Sequence, residues 1–146
     1  MKQLSRFLLG IAAWLLLTAS AFASANVTCL IDDTNLNFEL EAIAGRSGPI
    51  NQVQVGSIAI KPAAAKLAVP DITFDRSHIV QQWSLGGDFR LQVEVSDSTL
   101  QQNVNVVIFA RLNTNTDKYA GRYVLKIWRD GKISEFKGRI KECEIG

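Results

Sequence analysis

Hydrophobic and polar residues alternate along most of this chain, in short runs separated by glycine, proline and small polar residues. Because successive side chains of a β-strand point to opposite faces, each run predicts a strand with one buried face. The clearest run alternates Phe89, Leu91, Val93 and Val95 with polar residues. A first strand is predicted near Cys29, and later ones at 36–44, 53–60, 72–74, 78–85, 89–95, 104–112 and in both arms of a hairpin at 119–143.

Eight or nine strands at short spacing, without a convincing long helix, predict an all-β and mostly antiparallel fold. Two architectures are consistent with this prediction. One is a single antiparallel β-barrel, and the other is a two-sheet β-sandwich.

The hairpin turns at Asp130 and Gly131, a pair suited to a two-residue type I′ turn because both positions take positive φ. The turn sets the register of the two arms. The predicted cross-strand pairs are Arg129 with Lys132, Trp128 with Ile133, Ile127 with Ser134, Lys126 with Glu135, Leu125 with Phe136, Val124 with Lys137 and Tyr123 with Gly138.

One face of this hairpin is apolar and is predicted to join the core. It consists of Tyr119, Tyr123, Leu125, Ile127, Phe136 and Ile140. Trp128 and Ile133 form an apolar couple on the opposite, polar face, with Arg129 and Lys132 beside them. An exposed Trp near a hairpin tip can anchor a partner, although a loop packed over it is an equal alternative. These four residues are the candidate partner-binding site.

The first 25 residues have the pattern of a secretory signal peptide. Lys2 and Arg6 precede an uncharged apolar run at 7–17, which is too short for the roughly 20 residues of a membrane span. Small residues then offer two cleavage sites, after Ala23 or after Ala25. The expected organisation is a signal peptide at 1–25 and a single β-domain at 26–146, exported to a bacterial periplasm or secreted, with no membrane span after cleavage.

Two cysteines in an exported chain, one near each end of the domain, predict one disulfide between Cys29 and Cys143. The bond would make the first and last strands neighbours, which either closure allows. In the hairpin register Cys143 falls on the polar face, so the disulfide is expected to lie outside the core or to follow a bulge.

The formal net charge is +2, and it becomes zero once Lys2 and Arg6 are removed. A neutral balance argues against nucleic acid or an anionic membrane as the main partner. Residues 26–110 carry five basic and nine acidic side chains, whereas 111–146 carry nine basic and five acidic ones. We interpret this asymmetry as a solvated sheet face rather than as a binding patch.

Candidate catalytic and metal-binding groups are few. His78 is the only histidine, and Ser77 beside it would point to the opposite face of a strand. Asp32 and Asp33, followed by two asparagines, supply oxygen ligands but lack the glycine and distal glutamate of a calcium loop, so they predict a turn. No cofactor or metal site is therefore expected.

These observations favour an exported, non-enzymatic β-domain that binds a protein or another cell-envelope component through an exposed edge or the hairpin tip. The alternative is a small-ligand carrier with an internal barrel cavity. An exported hydrolase is the weakest hypothesis, because the chain lacks a catalytic motif.

Overall fold

The computed structural model describes residues 24–45, 48–62, 64, 71–98 and 101–146. The fold is all-β, as predicted, with a short 3-10 turn at Arg76–His78. The strands are β1 (Ser24–Asp32), β2 (Leu36–Gly45), β3 (Ile50–Ile60), β4 (Ile72–Thr73), β5 (Ile79–Leu85), β6 (Asp88–Asp97), β7 (Gln102–Asn113), β8 (Lys118–Arg129), β9 (Lys132–Arg139) and β10 (Glu142–Ile145). The predicted signal peptide lies outside the described residues except for Ser24 and Ala25, which begin β1.

The strands form one antiparallel sheet in the order β4-β3-β2-β1-β10-β8-β7-β6-β5, and β9 pairs with β8. The sheet curls into a half-barrel, so of the two predicted closures the barrel-like one describes it. The described residues form ten strands because the last predicted arm is interrupted at Ile140 and Lys141 and forms both β9 and β10.

The hairpin of β8 and β9 has the predicted register from Arg129 opposite Lys132 to Tyr123 opposite Gly138. Asp130 and Gly131 have φ values of 50° and 71°, as a type I′ turn requires. The predicted apolar face lies in or against the core. Tyr123 is fully buried over Gly138, where an added Cβ atom would overlap its ring.

Cys29 and Cys143 form the predicted disulfide and lie directly opposite each other on β1 and β10. Their Cα atoms are 4.1 Å apart, and both residues are fully buried. The strand is interrupted at Ile140 and Lys141, between β9 and β10, and this irregularity changes which face of the sheet the following side chains point to. Of the two expectations for this bond, an irregularity in the strand is therefore the one that occurs.

The core lies on the concave side of the curled sheet, and it is built by the inward-facing residues of most strands. Its largest fully buried side chains are Tyr123, Phe38 and Phe89. The Phe38 ring stacks on Phe74 at 5.4 Å between centroids, while Phe89 meets Tyr119 edge to face at 6.3 Å. These four aromatic side chains pack in or against one apolar interior.

Two side chains join β3 to β5, although no strand pairing between β3 and β5 occurs in the described residues. The backbone N–H of Ile50 donates to Gln82 Oε1 at 2.8 Å. Arg76 Nε donates to the carbonyl of Ile50 at 2.6 Å, and another Arg76 nitrogen donates to the carbonyl of Ile79 at 3.1 Å. Both backbone groups of the buried Ile50 are thereby satisfied by side chains instead of a neighbouring strand. We call Arg76 and Gln82 the side-chain clasp.

Candidate binding surface

The four predicted tip residues lie together at the end of β8 and β9, since Trp128 pairs with Ile133 and Arg129 pairs with Lys132. Ile133 is 63% exposed, whereas Trp128 and Arg129 are half-buried. Trp128 is not among the residues that form or border the core. The tip therefore offers one strongly exposed apolar side chain and two cations, with Trp128 partly covered.

A second candidate surface is the edge strand β5, which the sequence predicted as a strand but did not single out as a site. It pairs on one side with β6, and no strand of the described residues pairs with its other side. Val80, Trp83 and Leu85 are 53%, 43% and 68% exposed. They are three of the five large hydrophobic residues exposed in the described chain. No residue of β5 is charged.

Native edge strands usually carry lysine, proline or a bulge that prevents pairing with another chain. β5 has one register irregularity, between Ile79 and Gln81, and no charge or proline. Its composition was visible in the sequence, but its position at the edge depends on the order of all the strands. The edge of β5 is thus a pairing surface that neither charge nor proline protects.

A row of five side chains crosses the outer face of the sheet next to this edge. We call it the arginine row, and in cross-strand order it consists of Trp83, Arg90, Phe109, Arg122 and Arg139. The guanidinium carbon of Arg90 lies 5.3 Å from the Trp83 ring centroid and 5.7 Å from that of Phe109. The Arg122 guanidinium lies 5.6 Å from the Phe109 ring. These distances are those of cation–π contacts.

A shallow groove runs beside the row, toward the Gly86–Gly87 turn. Its lining includes the three arginines of the row together with Asp88, Arg111 and Ala120. Asp88 accepts from Arg111 Nε at 3.1 Å. Arg90, Arg122 and Arg139 form no ion pair within the described residues. The groove is therefore strongly cationic, and its one acidic side chain is already paired.

The structure corrects the predicted placement of Ser77 and His78. They lie in a turn rather than a strand, so the expectation that they point to opposite faces is wrong. Ser77 Oγ is 3.5 Å from His78 Nδ1. Asp75 Oδ1 accepts from the Ser77 hydroxyl at 2.6 Å and lies 2.9 Å from the same His78 Nδ1. The preceding Asp could have signalled this cap, because Asp is a preferred N-cap residue.

This cluster does not have the geometry of a catalytic triad. A triad uses one histidine nitrogen toward the nucleophile and the other toward the carboxylate, whereas Ser77 and Asp75 both approach Nδ1 of His78. Hydrogen bonds from the Ser77 hydroxyl and backbone N–H, followed by that of His78, lower the pKa of Asp75 to about 2. Its carboxylate is stabilised as the cap of the turn.

Asp33 occupies a turn, as the sequence predicted. Its Oδ1 accepts from the backbone N–H groups of Asn35 and Leu36 at 2.8 and 3.0 Å, and its Oδ2 accepts from the Tyr123 hydroxyl at 2.6 Å. Burial, and then the Asp33 carboxylate, raise the pKa of Tyr123. The neighbouring Asp32 pairs with Lys61 at 2.7 Å. Both carboxylates therefore have partners within the chain, and the described residues contain no cluster of three or more metal-ligating side chains.

No protein-family model, curated protein or solved structure matches this chain. Among the residues that the structure describes, no helix is long and apolar enough to cross a membrane.

Proposed function

We propose that this chain is an exported, non-enzymatic β-domain that binds an extended segment of a protein partner along the edge of β5. The observation that carries the proposal is the uncharged edge strand with Val80, Trp83 and Leu85 exposed. An extended segment can add to such an edge through main-chain hydrogen bonds, while its side chains contact the alternating residues of the edge. Solvent exposure of this edge otherwise invites aggregation.

Export is supported by two features of the chain. The leader at 1–25 has the charge, length and small residues of a signal peptide. The disulfide between Cys29 and Cys143 is of a kind that forms and persists in oxidising compartments. Both features favour a partner in the cell envelope or outside the cell.

A binding role is favoured over the two alternatives by the placement of side chains. The Ser77, His78 and Asp75 cluster has the contacts of a turn cap, which supports a non-enzymatic function. The carrier hypothesis needs an apolar internal cavity. Among the described residues, the grooves lined by Trp83 and Phe109, and by Arg111 and Arg122, lie on the outer face of the sheet.

The side-chain clasp defines how a partner strand would approach. Gln82 reaches from β5 to the backbone of Ile50, on the side of β5 that lacks a paired strand. A strand added at this edge would take the place of that side chain as the neighbour of β5. Its pairing with β5 would then compete with the hydrogen bonds of the clasp.

The test compares lysine substitutions at exposed hydrophobic positions of the two candidate surfaces. Val80→Lys and Leu85→Lys add a charge to the edge, and Ile133→Lys is the matched control at the tip. Each purified variant is used to capture partners from envelope extract of the native organism, and hydrogen exchange is measured on the captured complex. We expect the edge variants to lose a partner that the wild type and Ile133→Lys retain, and that partner to protect the amides of 79–85.

Two outcomes contradict this assignment. Loss of the partner only with Ile133→Lys would place the contact at the tip formed with Trp128, Arg129 and Lys132. A captured partner that leaves the β5 amides unprotected would show that no strand is added there. Thermal unfolding of each variant, which we expect to stay close to that of the wild type because these side chains are exposed, excludes misfolding as the cause.

A further inference from the structure

We propose that the arginine row and its groove bind an acidic polysaccharide, a sugar chain that carries carboxylate or sulfate groups. This is a second surface, and the proposal does not depend on a protein partner at the edge of β5. It also revises our interpretation of the basic C-terminal region as only a solvated face.

The guanidinium groups of Arg90 and Arg122 are held in place but not neutralised. Arg90 and Arg122 both lie against Phe109, on the two strands that flank β7. Such contacts orient a guanidinium while its N–H groups stay able to donate to a ligand. The planar fork of arginine matches carboxylate and sulfate oxygens with two parallel hydrogen bonds.

Several other charged side chains on the same strands form ion pairs. Lys118 pairs with Glu142 and Glu144, and Glu135 pairs with Lys126 and Lys137. Arg122 and Arg139, by contrast, are direct cross-strand neighbours with the same charge. Like charges directly opposite each other destabilise a sheet. A bound anion between them would remove that repulsion.

The length of the row indicates a ligand with several anionic groups. From β5 to β9 it crosses four strand spacings, or about 19 Å at the usual distance between strands. Arg111 adds a fourth guanidinium along the groove. A single small anion would contact only part of this surface, whereas a charged polymer would contact all of it.

Two other classes of polymer fit the surface less well. Single-stranded nucleic acid binds by stacking its bases on open aromatic faces, but the rings of Trp83 and Phe109 already have guanidinium groups over them. A protein partner is anchored mainly by apolar or aromatic side chains in buried pockets, and the groove is shallow and ringed by charge. Polar contacts along an open groove suit a polysaccharide best.

Ala120 offers a sharp test of the groove. It is exposed on β8, directly opposite Arg111 and two residues before Arg122. A glutamate at this position would place a carboxylate among the guanidinium groups without entering the core. We expect Ala120→Glu to compete with an anionic ligand and weaken its binding.

The probes are polygalacturonate and dextran sulfate, with neutral dextran as the control, and binding to the oxidised full-length protein is measured by titration at several salt concentrations. We expect both acidic polymers to bind, neutral dextran not to bind, and affinity to fall as salt rises. The double variant Arg122→Gln/Arg139→Gln should lower affinity about tenfold or more, since each arginine supplies charged hydrogen bonds.

The matched control is Arg129→Gln/Lys132→Gln, which removes the same charge from the hairpin tip and should leave affinity within about twofold. Equal losses in both double variants would mean that only net charge matters and would overturn the proposal, as would failure of both acidic polymers to bind. Equally tight, row-dependent binding of single-stranded DNA or phosphatidylglycerol vesicles would show that the polysaccharide assignment is wrong. The far-ultraviolet spectrum and unfolding midpoint of each variant report on its fold.

Discussion

The side-chain clasp makes a specific prediction about what holds the open side of the half-barrel. Gln82→Leu keeps a side chain of similar size but removes the amide oxygen that accepts from the backbone N–H of Ile50 at 2.8 Å. Ile50 is fully buried, and it lies at the start of β3. Its N–H group would then lack a partner in the protein.

The expected cost follows from that desolvated donor. A buried polar group left without its partner costs about 1–3 kcal/mol. The leucine gains little apolar burial in return, since Gln82 is only half-buried. We therefore expect Gln82→Leu to reduce the free energy of unfolding by about 1–3 kcal/mol.

Chemical denaturation of the oxidised protein measures this loss, with Gln81→Leu as the matched control. Gln81 is the preceding residue of β5, is exposed, and should tolerate the change within about 0.5 kcal/mol. The midpoint should move while the slope with denaturant stays constant, because the surface exposed on unfolding is nearly unchanged. Equal midpoints for the two variants would refute the clasp as the element that satisfies Ile50.

Four further outcomes are expected. Replacing both Cys29 and Cys143 by alanine should lower the free energy of unfolding by up to about 5 kcal/mol, because the unfolded chain regains its loop-closure entropy. The denaturation midpoint measures this loss, and two free thiols in exported wild-type protein would contradict the bond. Gly131→Val should destabilise because Gly131 has a φ of 71°, whereas Gly131→Asn should cost less; equal midpoints would disprove the turn. The pKa of Tyr123 is raised in the folded state, so its contribution to stability is complete below about pH 10 and is lost as pH rises further. The free energy of unfolding should therefore fall less between pH 9 and 11 in Tyr123→Phe than in the wild type. N-terminal sequencing of the exported protein should show cleavage after Ala23 or after Ala25; an exported protein that still begins at Met1 would contradict the signal peptide.

The parts of the fold that depend on local chemistry could be predicted from the sequence. Asp130 and Gly131 determine the turn, and the turn determines the register of every pair in the hairpin. The pairing of Cys29 with Cys143 followed from the export signal and the count of two cysteines. In each case a few neighbouring residues, or the oxidising compartment, allow only one turn type or one disulfide pairing.

The remaining features depend on pairing between distant strands. The sequence does not reveal that the last arm is interrupted at Ile140 and Lys141 and continues as β10 between β8 and β1, which is why the facing of Cys143 was predicted from the wrong parity. The position of β5 at the edge follows from the order of all strands. Arg90 and Arg122 become neighbours of Phe109 only once β6, β7 and β8 are in register.

Placing a photo-crosslinker at Val80, at Leu85 and at Ile133 in the native organism tests the proposed use of the β5 edge most directly. We expect the two β5 positions, which are both strongly exposed, to crosslink to the same envelope protein through one short segment, and the Ile133 position not to do so. Crosslinks from Ile133 alone, or none from either β5 position while the protein is folded and exported, would contradict the assignment of this edge as the contact site.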